Sequence, residues 1–327
     1  MRTLLLVAIS VLLAVLAGCI EIEINDDNDA EDRQSAAAEQ ECPRHCMLLR
    51  AGEIEAIIGD GARIRNHPGL WLLASEHYPF NVIHNKSAAM LGGGLRNREP
   101  VLKKIDEFSC ALERTSTPDD PSDIRAVYRI SEPYYLDYEH NVRDTEDRIG
   151  PLLNHRSWGY ANYTNSPDDL RIHFLSDGEW FAWTPGEHGG AGSQVVPNYL
   201  PKEKLETWPE DHPDPSFWWH KRLDRGFDEP FFYGRFENMV AIWVFDKPEW
   251  LRFHLSPQGG GKSLREGKTS TAWDFEWIIP RREYEVGKWY QLRCRIIFKE
   301  FEGNNDVLRE VRKAQQELGF TTVADLQ

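Results

Sequence analysis

Cysteine is scarce, with 5 in 327 residues, so a chain of this size has to rest on a packed apolar core rather than on disulfide staples. Basic residues are short as well: 38 Lys and Arg stand against 53 Asp and Glu, for a net charge of −15. A strongly acidic chain is a poor binder of nucleic acid, because phosphate neutralisation needs grouped cations. The sequence has no Gly-x-Ser-x-Gly, no His-Glu-x-x-His and no EF-hand loop, which leaves serine hydrolases, zincins and that calcium class without support. Gly259-Gly-Gly-Lys-Ser263 looks like the end of a phosphate-binding loop, but Ser256 stands where the first Gly is required, and the stretch reads as a flexible turn. No cofactor fingerprint is present. Long apolar runs are missing too: the longest, Leu4 to Val15, is too short to cross a bilayer comfortably.

That apolar run follows Arg2 and ends in Leu16-Ala-Gly-Cys19. The arrangement resembles the lipobox of bacterial lipoproteins, and the resemblance implies a signal peptide over residues 1–18, acylation of Cys19 and a lipid anchor in the cell envelope. Ile20 follows the cysteine where inner-membrane retention usually calls for Asp, which favours the outer membrane. Loss of Arg2 with the signal takes the charge from −15 to −16. Residues 19–41 concentrate acid, with Glu21, Glu23, Asp26, Asp27, Asp29, Glu31, Asp32 and Glu39 against Arg33 alone. Such a segment repels itself and buries nothing, so it reads as a tether.

Four cysteines remain, Cys42, Cys46, Cys110 and Cys294. An exported chain with an even number is compatible with two disulfides in any of three pairings. A metal site at Cys42-Pro-Arg-His-Cys46 is disfavoured, since no second Cys/His pair lies at zinc spacing. No Pro/Ser/Gly linker interrupts residues 42–320, which are expected to form a single large domain followed by a tail over 321–327.

Within that span, short alternating segments bounded by Gly, Pro, Asp or Asn predict strands: 52–58, 124–130, 133–138, 157–163, 170–175, 178–184, 239–245, from Trp250 onward, 273–279 and 289–298. The pair 124–130 and 133–138 reads as adjacent edges of a broad sheet, and Asp246-Lys-Pro248 as the turn of a hairpin joining Met239–Phe245 to the strand that starts at Trp250. One helix is expected, capped by Asn305, running over 306–318 and ended by Gly319. The fold class is therefore all-β and mainly antiparallel, a large two-sheet β-sandwich with a C-terminal helix.

Leu170-Arg-Ile-His-Phe-Leu-Ser176 and Leu251-Arg-Phe-His-Leu-Ser256 are near copies. Each sets Arg and His two residues apart, on one face of a strand. Arg171, Arg252 and Trp250 are thus candidate substrate-binding groups, and His173 and His254 candidate catalytic ones, if both strands line one cleft. Glu187 and His188 in a Gly-rich loop offer a carboxylate and an imidazole for proton transfer. Trp183, and Trp218 in an irregular stretch, offer stacking surfaces for a sugar ring. Against each of these stands a plainer role: a solvated face, a hairpin loop, an indole packing a loop onto the body.

The β-rich pattern over roughly residues 120 to 300, with its Trp, His and Arg faces, is similar in architecture to the galactose-mutarotase-like supersandwich of sugar epimerases and polysaccharide-active enzymes. That resemblance implies a carbohydrate partner and leaves the reaction open among epimerase, lyase and hydrolase types. Two alternatives stay open beside it, a non-catalytic glycan-binding lipoprotein and a surface scaffold protein.

Overall fold

The computed structural model describes residues 45–62, 67–83, 89–149, 155–186, 192–201, 222–263 and 265–326, with the side chains of 256–262 left aside. The expected signal and tether, with Cys19 and Cys42, lie outside the described residues. In chain order the strands are β1 (Cys46–Ala51), β2 (Ile54–Gly59), β3 (Gly69–Ser75), β4 (Val101–Lys104), β5 (Ser109–Arg114), β6 (Ser122–Ser131), β7 (Tyr135–Asp144), β8 (His155–Tyr160), β9 (Tyr163–Asn165), β10 (Ile172–Ser176), β11 (Glu179–Trp183), β12 (Gln194–Val195), β13 (Phe231–Phe236), β14 (Met239–Phe245), β15 (Leu251–Lys262), β16 (Thr269–Pro280) and β17 (Tyr290–Glu300), followed by the helix α1 (Asn304–Leu318). All strand pairings are antiparallel. They form a nine-stranded sheet ordered β11-β10-β13-β14-β17-β7-β6-β5-β4, a five-stranded assembly in which β12-β15-β16-β8 is extended by β9 on β16, and a small sheet β1-β2-β3.

Why β14 is apolar throughout follows from its place in the stack. Met239, Ala241, Trp243 and Phe245 face the five-stranded sheet, while Val240, Ile242 and Val244 face α1 through Val307, Val311 and Ala314. A strand covered on both sides has no polar face to offer. The two large sheets meet along aromatic rings: Phe245 lies 4.7 Å from Phe275, Phe232 lies 5.2 Å from Phe253, and Phe227 stacks on Phe253 at 4.2 Å. Gly234 sits where any Cβ would collide with the Trp273 ring. The expected sandwich with a C-terminal helix is therefore present, with a small third sheet whose Leu49, Ile54, Ala56 and Ile58 join the same core.

Several local expectations are corrected. β14 and β15 are not a hairpin: β14 pairs with β13 and β17, and β15 pairs with β12 and β16. The turn at Asp246 carries the chain from one sheet to the other. Asp246 is buried and accepts from Arg293 Nε (3.0 Å) and Nη2 (2.7 Å) and from the backbone amides of Lys247 and Thr321 (2.9 Å each). Its own carbonyl takes the Trp277 indole N–H at 3.2 Å. These bonds replace the partners a hairpin would have supplied. Gly259-Gly-Gly-Lys belongs to β15 rather than to a turn. β6 and β7 do pair, but in the interior of the nine-stranded sheet, not at its edge. Gly303, not Asn305, occupies the cap position of α1, while Gly319 ends the helix in the left-handed conformation as expected.

Cys110 and Cys294 are free and buried, so neither belongs to a pair of disulfides. They stand in one row, Cys110-Tyr128-Tyr138-Cys294, across β5, β6, β7 and β17. Three inter-strand steps of roughly 4.8 Å put them about 14 Å apart, twice what a bridge tolerates.

Candidate active site

β15 alternates as its sequence predicts. Leu251, Phe253 and Leu255 face the core, which turns Arg252 and His254 to the outer face of the five-stranded sheet. Register places partners beside them that come from distant sequence: Gln194, His254 and Asp274 form one row, and Arg252, Glu276 and Gly159 the next. In β16 the pattern is equally regular, with Trp273, Phe275 and Trp277 inward and the two carboxylates outward.

His254 Nε2 lies 3.0 Å from Glu276 Oε2, and Glu276 is buried at 5% exposure. Burial pushes its carboxyl upward, but the hydrogen bond and charge of His254, with Ser157 and His155, outweigh that and hold it below the usual range. The pair is thus an imidazole oriented by an ionised carboxylate, the arrangement that proton transfer requires. Asp274 Oδ1 accepts the Asn162 amide at 2.7 Å. Arg252 is 2% exposed and donates to the Leu251 carbonyl at 2.6 Å; among the described residues no carboxylate pairs with it. Desolvation brings its guanidinium down to about 10, with Tyr199 and Glu276 favouring the charge and Arg222 opposing it. A guanidinium buried this deeply is costly, and an anionic or hydroxyl-rich ligand would satisfy it. The Tyr199 hydroxyl beside it donates to Pro248 O at 3.1 Å.

At the β8 side of this face lies a cavity of about 80 Å³ lined by Gly92, Gly93, Gly94, Arg96, Gly159 and Tyr163 among others. Gly93 permits the close approach, since a side chain there would enter the Tyr160 ring.

The other sequence candidates are dispersed. His173 stacks on Tyr233 at 4.8 Å, on the α1 side of the nine-stranded sheet, while Ile172 and Phe174 take the core side. The two Arg-x-His strands therefore touch through their apolar faces, Phe174 against Phe253, and turn their polar faces to opposite outer surfaces. They do not line one cleft, because the same alternation that aligns Arg with His turns both away from the shared core. Arg171 precedes β10, is exposed and is held by Asp169. Trp183 is not an open platform: it is 5% exposed, and its indole N–H donates to Gly192 O at 3.1 Å. Trp250 precedes β15, donates to Glu283 at 2.8 Å and meets Tyr290 edge-on. Glu187, His188 and Trp218 lie outside the described residues. Sequence reasoning missed Glu276, Asp274 and Gln194; the available signal was two acids at alternate positions of the otherwise apolar Trp273–Ile279.

No family model matches the chain, and no characterised protein matches it in sequence. Among the described residues no helix is long and apolar enough to cross a membrane. Among solved structures the chain is similar to a putative aldose 1-epimerase from Escherichia coli K12, at 10% identity over 78% of this chain and 99% of that one, with a TM-score of 0.42. It is also similar to a putative mutarotase from Salmonella typhimurium, at 11% identity over 78% and 90%, TM-score 0.43. A heparan sulfate lyase from Pedobacter heparinus aligns at 5% identity over 77% of this chain and 34% of its own length, TM-score 0.41. These are likenesses of overall architecture, and what the polar face does has to be argued from this chain's own side chains.

Proposed function

We propose that the outer face of the five-stranded sheet binds a carbohydrate and moves a proton on it. His254 is the acid–base group, Glu276 fixes its orientation, and Arg252 with Gln194 holds sugar oxygens. The observation that carries this reading is the His254–Glu276 contact at 3.0 Å beside the buried Arg252 guanidinium. Glycoside hydrolysis uses two separated carboxylates, whereas Glu276 is committed to His254 and Asp274 to the Asn162 amide. The set therefore favours epimerisation or elimination over hydrolysis. Glu187 and His188 as further proton carriers, and Trp218 as a stacking surface, belong to the same proposal, as does a lipid anchor at Cys19 that holds the protein in the cell envelope. The Cys19 anchor is tested by Cys19→Ser, which should release the protein from the detergent phase and abolish fatty-acid labelling.

Neutral and acidic saccharides are to be screened for binding and turnover with the whole protein. His254→Gln should lower turnover about a hundredfold or more with little change in binding, and Glu276→Gln should follow in the same direction. Binding without turnover, unchanged in His254→Gln, would replace the enzyme by a non-catalytic glycan binder. Absence of any saccharide binding would refute the proposal.

A further inference from the structure

A second pocket lies at the β4–β5 edge of the nine-stranded sheet. Its volume is about 820 Å³, within the range of small-ligand sites. Its floor is unusual in charge. One carboxylate, Asp120, is shared by Arg98, by Arg114 at 2.8 Å and by Arg148 at 3.9 Å. Three guanidinium groups converge on this one carboxylate, while the lining as a whole balances Arg96, Arg98, Lys103 and Arg114 against Glu99, Glu113, Asp119 and Asp120. Asp120 Oδ1 is buried and has no hydrogen-bond partner among the described residues. The Arg98 guanidinium is pushed down, by burial first and then by Arg114, Arg148 and Arg156 against the opposing pull of Asp120. Above this floor stands Arg96, exposed, with no hydrogen bond or ion pair among the described residues. It lines both this pocket and the small cavity beside Gly159. Lys103 is less available, being tied to Glu113 at 2.6 Å.

We infer that this pocket is an anion site that takes a small ligand carrying a single oxyanion, a carboxylate or a sulfate ester, between Arg96 and the Arg98–Arg114 pair. Guanidinium forks match such planar or tetrahedral oxyanions, and a charge-assisted bond there replaces water at low cost. Glu99 and Asp119 on the lining oppose extended polyanions. It stands independently of the sugar-transforming role proposed above.

The test is calorimetric titration of the whole protein with glucuronate, glucose 6-sulfate, glucose and inorganic sulfate. Binding of the two acidic sugars but not of glucose is the expected result, and it should weaken as salt rises. Inorganic sulfate binding as well would show that the oxyanion alone is recognised; its failure would show that the sugar contributes. Arg96→Glu, a change at an exposed unpaired residue, should weaken binding about tenfold or more, and His254→Gln should leave it unchanged. If neither acidic sugar binds, or if Arg96→Glu binds as the parent does, the inference is overturned.

Discussion

His140 gives the protein a stability that depends on pH well above the carboxylate range. The ring lies on the core face of β7, fully buried, with Nδ1 at 3.1 Å from the Tyr138 hydroxyl and Nε2 without a hydrogen-bond partner among the described residues. Desolvation, reinforced by Arg156 and Arg98 and opposed by Asp144, drags the imidazole from 6.5 down to about 3. The folded state therefore holds it neutral while the unfolded chain takes up a proton. Its contribution is complete above pH 6.5 and is lost as pH falls toward 3, because the unfolded state binds the extra proton. Between pH 7 and pH 5 one such group costs about 2 kcal/mol, a sizeable share of a total that is roughly 5–15 kcal/mol. Urea denaturation at both pH values reads this directly. His140→Gln, which keeps a polar atom near Tyr138, should be less stable than the parent at pH 7 but lose about 2 kcal/mol less on going to pH 5. The comparison with the parent cancels His173, which burial also pushes down. If parent and variant lose the same stability over that interval, the neutral buried imidazole is refuted.

Burial pushes the Cys110 thiol up to about 12 and the Cys294 thiol well above its ordinary value, so neither should react with a thiol reagent in the native state, and both should react after denaturation without reductant. Gly234→Ala, which drives a methyl into the Trp273 ring, should cost about 1–3 kcal/mol in thermal or urea unfolding; an unchanged midpoint would show that the sheets are packed less tightly than described. Asp246→Ala strips the Arg293 guanidinium and two backbone amides of their acceptor and should cost roughly 3–5 kcal/mol, of which only the ion-pair part is absent if Arg293 is replaced at the same time.

What the sequence made legible was alternation. The apolar and polar faces of β15, the strand over Met239–Phe245, and the glycine stop of α1 are local properties and were read correctly. The sheet to which a strand belongs is not local. Asp246-Lys-Pro248 carries the same turn chemistry whether the chain folds back or crosses over, and the decision lies with Arg293, Thr321 and Trp277 far downstream. The site shows the same division. Arg252 and His254 were visible as neighbours on one face, but Glu276 reaches His254 only through the β15–β16 register. The likeness between Leu170–Ser176 and Leu251–Ser256 misled because two similar strands facing one core present their polar residues in opposite directions.

The amide of Thr321, near the end of the chain, is bonded to the residue at which the polypeptide passes between sheets. A protein clipped just before Thr321 would keep every strand and α1 but lose this latch, leaving the carboxylate with one donor fewer where the polypeptide changes sheet.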